Sequence, residues 1–197
     1  MKGRVISLRQ LQPDSETLSD EAVAEACRSG DPVAVAELFD RFHGSVVRFL
    51  SHLLRAREDV EDSLQSTFLE VARGRARFDG RSAVRTWLLA VAANVARNQL
   101  RKTRRQTRLQ LALSREDGGS AHPPPDGRVG AKLQLERARR VLDGLPAEQR
   151  AAFVLCAVEG LSARETAQAL GSTETAIWKR VSEARKAILA AARREET

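Results

Sequence analysis

Basic side chains are concentrated in the segment RNQLRKTRRQTR, residues 97–108, which holds six arginines and lysines and no acidic residue. If this segment and the turn before it form a helix, six polar and basic side chains lie on one side of that helix: Asn94, Arg97, Arg101, Arg104, Arg105 and Arg108. A row of guanidinium groups suits the phosphate backbone of a nucleic acid, and an asparagine amide can hydrogen-bond a base edge. A solvated arginine-rich helix is the alternative, but like charges repel each other and such runs usually serve an interaction. The segment therefore predicts a nucleic-acid surface.

A second group of candidate nucleic-acid ligands lies just before it, in the predicted loop FDGRSAVRTW, residues 78–87. Phe78 and Trp87 stand at its ends, with Arg81 and Arg85 between them. Aromatic rings and guanidinium planes stack on unpaired bases and stabilise them by roughly 1–3 kcal/mol per base. The two rings would serve equally as core anchors where the loop joins the helix, and the sequence leaves both roles open.

The segment LSARETAQALGSTETAIWKRVSEARKAIL, residues 161–189, has the pattern of a helix-turn-helix that reads DNA. Ser162 and Glu165 form a capping box at a helix start, and Gly171 supplies the left-handed residue that ends this helix. The inner face of the second helix carries Ile177, Val181, Ala184 and Ile188. The opposite face carries hydroxyls and lysines that suit phosphates and base edges: Thr175, Lys179, Ser182 and Lys186. A lone basic amphipathic helix is often only solvated, but the capped helix and glycine turn before this one favour DNA binding.

An acidic and apolar face is predicted on the helix between residues 59 and 73. Glu58, Asp62, Gln65 and Leu69 project together, opposite a buried apolar stripe. An exposed leucine flanked by a carboxylate and an amide suits protein binding, because the leucine supplies burial and the polar groups supply specificity. A plain solvent-facing surface is an equal alternative from these residues alone.

Helices are needed to position these surfaces, and nearly every segment of the 197 residues has a helical period. Helices are predicted over residues 19–28, from Pro32, over 59–73, over 83–109 and over 146–158, followed by the helix-turn-helix. The predicted buried stripe of the second helix is Leu38, Phe39, Phe42, Val46, Phe49, Leu50 and Leu53. The predicted anchors of the fourth helix are Trp87, Leu88, Val91 and Val95. Residues 114–130, with four glycines and three consecutive prolines, predict a flexible linker. The predicted fold is therefore all-α, with two small helical domains joined by a linker.

Composition narrows the function classes. The formal net charge of +7 and the sequence pI near 10.4 favour a polyanionic partner. Cys27, Cys156 and the three histidines show no metal-ligand spacing, and no catalytic constellation is present, so no metal, no cofactor and no enzymatic activity is expected. The longest apolar run, residues 151–158, is too short to cross a bilayer, and the N-terminus has no secretory apolar region. We expect a cytoplasmic protein without membrane insertion.

Taken in order, the acidic and apolar face, the basic helix, the linker and the helix-turn-helix resemble the extracytoplasmic-function (ECF) subfamily of bacterial sigma-70 RNA polymerase sigma factors. VEDSLQSTFLEV is similar to the region 2 motif that docks on the polymerase clamp, with matches at Glu61, Asp62, Gln65, Phe68 and Leu69. WLLAVAANVARNQLRK resembles the helix that recognises and opens the minus-ten promoter element. LDGLPAEQRAAFVL and the helix-turn-helix resemble region 4, which binds the minus-thirty-five element.

The recognition helix departs from the family pattern in two places. Thr175, Ala176 and Ile177 stand where the family commonly has Gly-Thr-Val, and Glu183 stands where a second arginine is frequent. The positions that do match are Arg180, Ala184 and Arg185.

The resemblance implies an N-terminal extension over residues 1–18, region 2 over 19–110, a linker over 111–131 and region 4 over 132–192. The implied polymerase-binding residues are Glu61, Asp62, Gln65 and Leu69. The implied minus-ten residues are Phe78, Arg81, Arg85, Trp87, Asn94, Arg97, Arg101, Arg104 and Arg105. The implied minus-thirty-five residues are Thr175, Trp178, Lys179, Arg180, Ser182, Arg185 and Lys186. The implied partners are core RNA polymerase, promoter DNA and an anti-sigma factor, and the implied function is promoter-specific initiation of transcription.

Two other functions compete with this one. A conventional helix-turn-helix regulator would bind double-stranded DNA tightly without polymerase. A helical DNA-processing enzyme, such as a recombinase, would need a nucleophile and acid or base groups in one pocket, and the sequence offers no such set.

Overall fold

Helices account for all the regular structure of residues 18–113 and 140–194, which are the residues that the computed structural model describes. They are α1 (Asp20–Ala26), α2 (Pro32–Leu53), α3 (Arg57–Ala72), α4 (Val84–Leu113), α5 (Ala147–Phe153), α6 (Ala163–Leu170) and α7 (Glu174–Arg194). A 3-10 turn, Cys27–Ser29, follows α1, a π-helical turn, Val154–Val158, continues α5, and residues 140–144 are also helical. The all-α prediction is confirmed over this part of the chain. None of its helices combines the length and the apolarity that crossing a membrane requires.

Some predicted features lie outside the described residues. These are the N-terminal extension up to residue 17, the predicted linker from residue 114 onward, and the side chains of Arg104, Arg105 and Arg108.

The first helices begin and end where their capping residues predict. The Ser19 hydroxyl accepts a hydrogen bond from the Ala22 N–H at 3.2 Å, and an Asp31 carboxylate oxygen accepts one from the Val33 N–H at 3.0 Å. Gly30 separates the two helices with a φ of 73°, a left-handed conformation that glycine adopts without strain. Each such N-cap contributes about 1 kcal/mol by satisfying an N–H that the helix leaves unpaired.

The buried face of α2 differs from the predicted stripe at one residue. Leu38, Phe49 and Leu50 are completely buried, but Phe39 is 36% exposed. Its ring stacks on His43 at a centroid distance of 5.0 Å and meets Phe68 edge-on at 4.9 Å. The prediction was wrong for Phe39 because the apolar stripe of α2 is wider than the face that its neighbours cover.

The buried face of α4 is also rotated from the predicted one. Its fully covered residues are Val84, Leu88, Leu89, Ala92, Ala93 and Ala96. Trp87, Val91 and Val95, which were predicted as anchors, are only half-buried. Small alanine side chains allow neighbouring helices to approach α4 closely, so the alanine face lies inside. Residues 87, 91 and 95 are thereby turned toward a surface groove.

The C-terminal helices follow the predicted helix-turn-helix. The Ser162 hydroxyl accepts from the Glu165 N–H at 3.2 Å, and the Glu165 carboxylate accepts from the Ser162 N–H at 2.9 Å, so the capping box is present. The Ser162 hydroxyl also donates to the Glu165 carboxylate at 2.7 Å, and this bond, together with the one from the Ser162 N–H, lowers the pKa of Glu165 below its ordinary value. Gly171 ends α6 with a φ of 59°, and the Thr173 hydroxyl caps α7 by accepting from the Ala176 N–H at 3.2 Å.

One continuous apolar core joins the N-terminal and C-terminal helices. Leu155, Leu161 and Leu170 from the C-terminal part belong to the same buried cluster as Leu53 and Leu89 from the N-terminal part. The sequence predicted two helical units joined by a linker and gave no indication that they would pack together.

Candidate polymerase and nucleic-acid interfaces

α3 turns its predicted polymerase-binding residues outward, while its inner face is buried against the rest of the fold. The exposed residues are Glu61, Asp62, Gln65 and Leu69. Leu69 retains 38% of its surface in solvent and adds apolar area to this face. Phe68 is only 6% exposed and lies on the buried apolar side of α3, as its place in the predicted apolar stripe indicates. The sequence therefore predicted correctly which side of α3 is exposed.

The polar residues of this α3 face differ in their local partners. Glu61 is held by Arg57, whose Nε donates to the Glu61 carboxylate at 2.7 Å. This hydrogen bond raises the pKa of Arg57 above its ordinary value. Asp62 and Gln65 form no side-chain hydrogen bond or ion pair within the described ranges of the chain. Their polar groups are therefore open to an external partner.

A polar groove runs beside the exposed side of α4. It has a volume of about 650 Å³, and two of the predicted nucleic-acid residues, Trp87 and Asn94, lie on its wall. Eight further polar residues line it that were not singled out from the sequence as site residues: Ser66, Glu70, Arg75, Arg77, Asn98, Gln99, Lys102 and Gln168. Lys102 belongs to the basic run already recognised, whereas Arg75 and Arg77 lie in the connection before Phe78, where no periodic pattern indicates a shared surface. The groove thus combines an aromatic ring, amides, cations and one carboxylate, that of Glu70, which pairs with Arg75 at 3.1 Å.

Only some of the residues predicted to bind nucleic acid in and after the loop before α4 are accessible. Phe78 is 5% exposed, and its ring centroid lies 5.4 Å from that of Trp87. Phe78 is therefore an anchor of the core, because a buried ring is not accessible to a base. Trp87 is half-buried and also lines a second cavity of about 320 Å³, together with Arg81 and Ser82. Trp87, in the first turn of α4, is therefore the accessible one of these two aromatic residues.

α7 exposes the predicted DNA-reading face. Its exposed residues are Thr175, Trp178, Lys179, Ser182, Arg185 and Lys186. Ile177, Val181 and Ala184 are buried on the opposite side, as predicted, and Ile188 is half-buried. Glu183 points toward α5, where the Gln149 side chain donates to its carboxylate at 2.8 Å. The acid at position 183 therefore contributes to packing within the C-terminal unit rather than to the exposed face.

Two family models match the chain, Sigma-70 region 2 over residues 38–106 and Sigma-70 region 4 over residues 135–188. The ECF RNA polymerase sigma factor SigX of Bacillus subtilis is 32% identical, with the match covering 71% of this chain and 74% of SigX. The ECF RNA polymerase sigma factor SigM of Mycobacterium tuberculosis is also 32% identical, over 85% of this chain and 81% of SigM. The chain belongs to the ECF family of RNA polymerase sigma factors.

Solved structures show the same fold for this sigma factor. The sigma factor RpoE in complex with the anti-sigma factor NepR, from Bartonella quintana, superposes with a TM-score of 0.62 at 23% identity, covering 80% of this chain and 96% of that chain. CnrH in complex with the cytosolic domain of CnrY gives a TM-score of 0.60 at 25% identity, covering 87% of this chain and 95% of that chain. Membership of this non-catalytic family makes the protein an initiation factor that binds core RNA polymerase and directs it to specific promoters. Family membership therefore supports this function over that of a helix-turn-helix regulator that acts without polymerase.

Region 4 of the sigma factor contacts several of the predicted minus-ten arginines of region 2. The Arg85 guanidinium pairs with the Glu159 carboxylate, and Arg97 Nη1 donates to the Leu170 carbonyl at 3.0 Å. Glu148 Oε1 lies 3.7 Å from Arg97 Nε and 3.5 Å from Arg101 Nη2.

The Glu148 carboxylate also faces the recognition helix, α7. A buried arginine makes a further contact between the two regions. Glu148 Oε2 lies 3.5 Å from Arg180 Nη2, so this carboxylate faces arginines from both α4 and α7. Arg150, which is 5% exposed, donates to the Leu53 carbonyl at the end of α2 at 2.9 Å. Sequence reasoning missed Glu148, Arg150 and Glu159, because nothing in their spacing indicates a partner in the other region.

Proposed function

We propose that this sigma factor docks on the clamp of core RNA polymerase through the outer face of α3. Leu69 supplies apolar surface for burial, and Asp62 and Gln65 supply a carboxylate and an amide without partners among the described residues. Glu61 contributes a second carboxylate, oriented by Arg57. An interface of this composition has an apolar centre with polar groups that fix its register.

For the minus-ten element, we propose that the groove along α4 holds the promoter strand. Arg75, Arg77 and Lys102 line the groove and provide cations for phosphates. Arg97 and Arg101, with Arg104 and Arg105 farther along the helix, lie on α4 beyond this lining and provide further positive charge. Trp87 offers a partly exposed ring on which an unpaired base can stack, and Asn94 offers an amide for a base edge. Phe78 does not contact DNA itself, since its ring is buried and supports Trp87 from the core.

For the minus-thirty-five element, α7 enters the major groove of duplex DNA. Lys179, Arg185 and Lys186 suit phosphates or guanine edges, and Thr175 and Ser182 suit either kind of contact. Trp178, which is 60% exposed, adds apolar surface to the same face. We propose that region 2 spans residues 19–110, the linker residues 111–131 and region 4 residues 132–192.

An anti-sigma factor is the remaining proposed partner. The sigma factor RpoE compared above was determined in complex with the anti-sigma factor NepR. The shared fold supports the proposal that this chain is also held by such a partner.

The observation that carries the proposal is that α3 contributes to two adjacent surfaces. Ser66 and Glu70 line the α4 groove, while Gln65 and Leu69, one position earlier on the helix, face outward. A polymerase bound to the outer face would therefore lie beside DNA held in the groove. This arrangement links promoter recognition to the enzyme, as an initiation factor requires.

Runoff transcription on genomic promoter fragments tests the proposal. Purified core polymerase should give specific transcripts only when the full chain is added, and Asp62→Lys should reduce them by weakening docking. Glu21→Lys, the same reversal of charge at an exposed residue of α1 that belongs to none of the proposed surfaces, is the matched control and should leave transcription unchanged. Equal transcription with and without the chain would reject the proposed function, as would failure of the chain to associate with core polymerase at low ionic strength.

A further inference from the structure

The recognition helix α7 carries an exposed aromatic ring among its cations and hydroxyls. Trp178 keeps 60% of its surface in solvent, the largest exposed fraction of any large apolar residue in the part of the chain that the structure describes. Its indole forms no hydrogen bond and no stacked ring pair within those residues. Tryptophan has one of the largest apolar surfaces of any side chain, and burying that surface is favourable. The ring is therefore available to an external partner.

Trp178 lies on the side of α7 that carries the proposed DNA-binding residues. Side chains three, four and seven positions apart share one side of a helix. Applied to Trp178, this spacing gives a stripe of four exposed residues: Thr175, Trp178, Ser182 and Arg185. Lys179 and Lys186 are exposed beside the stripe. Cations attract the phosphates of a duplex, so DNA held by these residues would lie against the indole.

The place of Trp178 along α7 favours contact with base edges. α7 begins at Glu174, so Trp178 is its fifth residue. In a helix-turn-helix, the N-terminal residues of the second helix are the ones that reach the base edges in the major groove. An indole also extends farther from the helix axis than the hydroxyl side chains of Thr175 and Ser182. Trp178 is therefore placed to contact bases as well as the backbone.

The chemistry of the indole limits what it can recognise in the major groove. The base edges there present hydrogen-bond donors and acceptors, and thymine adds a methyl group at C5. An indole is uncharged and has a single N–H donor, so most of its surface can make only apolar contacts. The thymine methyl is the apolar group that base pairs offer in this groove. An A·T pair is therefore the pair that best fits Trp178.

We propose that Trp178 selects thymine in the minus-thirty-five element by packing its indole against the C5 methyl group. This inference rests on the proposed function, because it takes α7 as the helix that enters the major groove. Lys179, Arg185 and Lys186 hold the duplex largely through its phosphates, whereas Trp178 distinguishes one base pair from another. Trp178 is thus a specificity-determining residue of region 4.

Deoxyuridine tests this inference, because it differs from thymidine only in lacking the C5 methyl group. Promoter fragments from the runoff assay are made with each thymine of the minus-thirty-five element, on either strand, replaced in turn. Core polymerase loaded with the full chain is titrated against these fragments. One position, or two adjacent positions, should lose affinity by about fourfold, the size expected for one buried methyl group. The other positions should change by less than about twofold.

Three variants of the chain assign the effect to the indole. Trp178→Ala should bind the thymine fragment about as weakly as the parent binds the sensitive uracil fragment, and it should no longer distinguish the two. Trp178→Phe keeps an apolar ring and should retain the discrimination. Leu189→Ala removes another exposed apolar side chain of α7 and should behave like the parent. Both positions are more than half exposed, so the variants should keep the fold, and far-UV circular dichroism confirms their helix content.

The outcomes separate this inference from the proposed function. Equal affinity of the parent for thymine and uracil at every position would overturn it, as would a minus-thirty-five element without an A·T pair. Uracil sensitivity that persists in Trp178→Ala would assign the methyl contact to another residue and overturn it as well. A loss in Trp178→Ala that is equally large on a scrambled element would make Trp178 a backbone or polymerase contact. Equal binding of the parent holoenzyme to intact and scrambled elements would instead reject the proposed role of α7, and the inference would fall with it.

Discussion

Truncation of Leu69 to alanine should weaken binding to core RNA polymerase without unfolding the chain, because this leucine is 38% exposed on the outer face of α3. Full burial of a leucine side chain stabilises by about 1.5–3 kcal/mol. Polymerase can bury only the 38% that region 2 leaves exposed, so the expected loss is about 0.6–1.1 kcal/mol. That loss corresponds to an increase in Kd of roughly threefold to sevenfold.

Titration of the sigma factor into fluorescently labelled core polymerase measures this change. Leu189→Ala is the matched control, since Leu189 is an exposed leucine on α7, outside the proposed docking face, with 58% of its surface in solvent. The control should keep Kd within about twofold of the parent value, the size expected for a surface substitution without a specific role. Equal Kd values for Leu69→Ala and Leu189→Ala would refute the assignment of the α3 face to polymerase binding.

Further predictions concern DNA contacts, the helix-turn-helix and a buried thiol. Arg101→Ala should reduce the salt dependence of promoter-complex affinity by about one unit in the log–log slope, and equal slopes for variant and parent would contradict a phosphate contact. Lys179→Ala should weaken binding only to fragments with an intact minus-thirty-five element; equal loss on a scrambled element would make it a backbone contact. Gly171→Ala should lower the free energy of unfolding in urea by about 1–2 kcal/mol, because φ is +59° there, whereas Gly44→Ala, in a helix with open space at Cβ, should not destabilise the chain. Burial, reinforced by Asp31, raises the pKa of the Cys27 thiol to about 11. In a chain whose other, half-buried cysteine is replaced by Cys156→Ser, Cys27 should therefore react with Ellman's reagent at pH 8 only on unfolding, and rapid reaction of this native variant would contradict the prediction.

Local sequence signals predicted the helices and the turn because their causes lie within a few residues. The Ser162 and Glu165 pair and Gly171 define the start and end of α6 through contacts three to five residues long. The exposed faces of α3 and α7 follow from the helical period together with a clear apolar side. These are the surfaces whose residues could be assigned from the sequence.

Packing between distant segments was not predictable in the same way. Arg150 reaches the Leu53 carbonyl across 97 positions, and Arg97 reaches the Leu170 carbonyl across 73. A backbone carbonyl is present at every residue, so no residue type marks it as a partner. Phe39 and Phe78 show the related difficulty that an aromatic residue does not itself indicate whether a neighbour covers it.

The contacts between the two regions and the proposed docking on polymerase use different residues of region 2. On the region 2 side, the contacts with region 4 use Arg48, the Leu53 carbonyl, Arg55, Arg85, Arg97 and Arg101. These residues lie on α2, on α4 or in the connection between α2 and α3, whereas the proposed docking residues lie on the outer face of α3. Polymerase bound to that face would therefore leave these contacts unbroken, together with the apolar core that joins Leu155 and Leu170 to region 2. For the same reason, a substitution such as Leu69→Ala should change the affinity for polymerase without changing how region 4 packs on region 2.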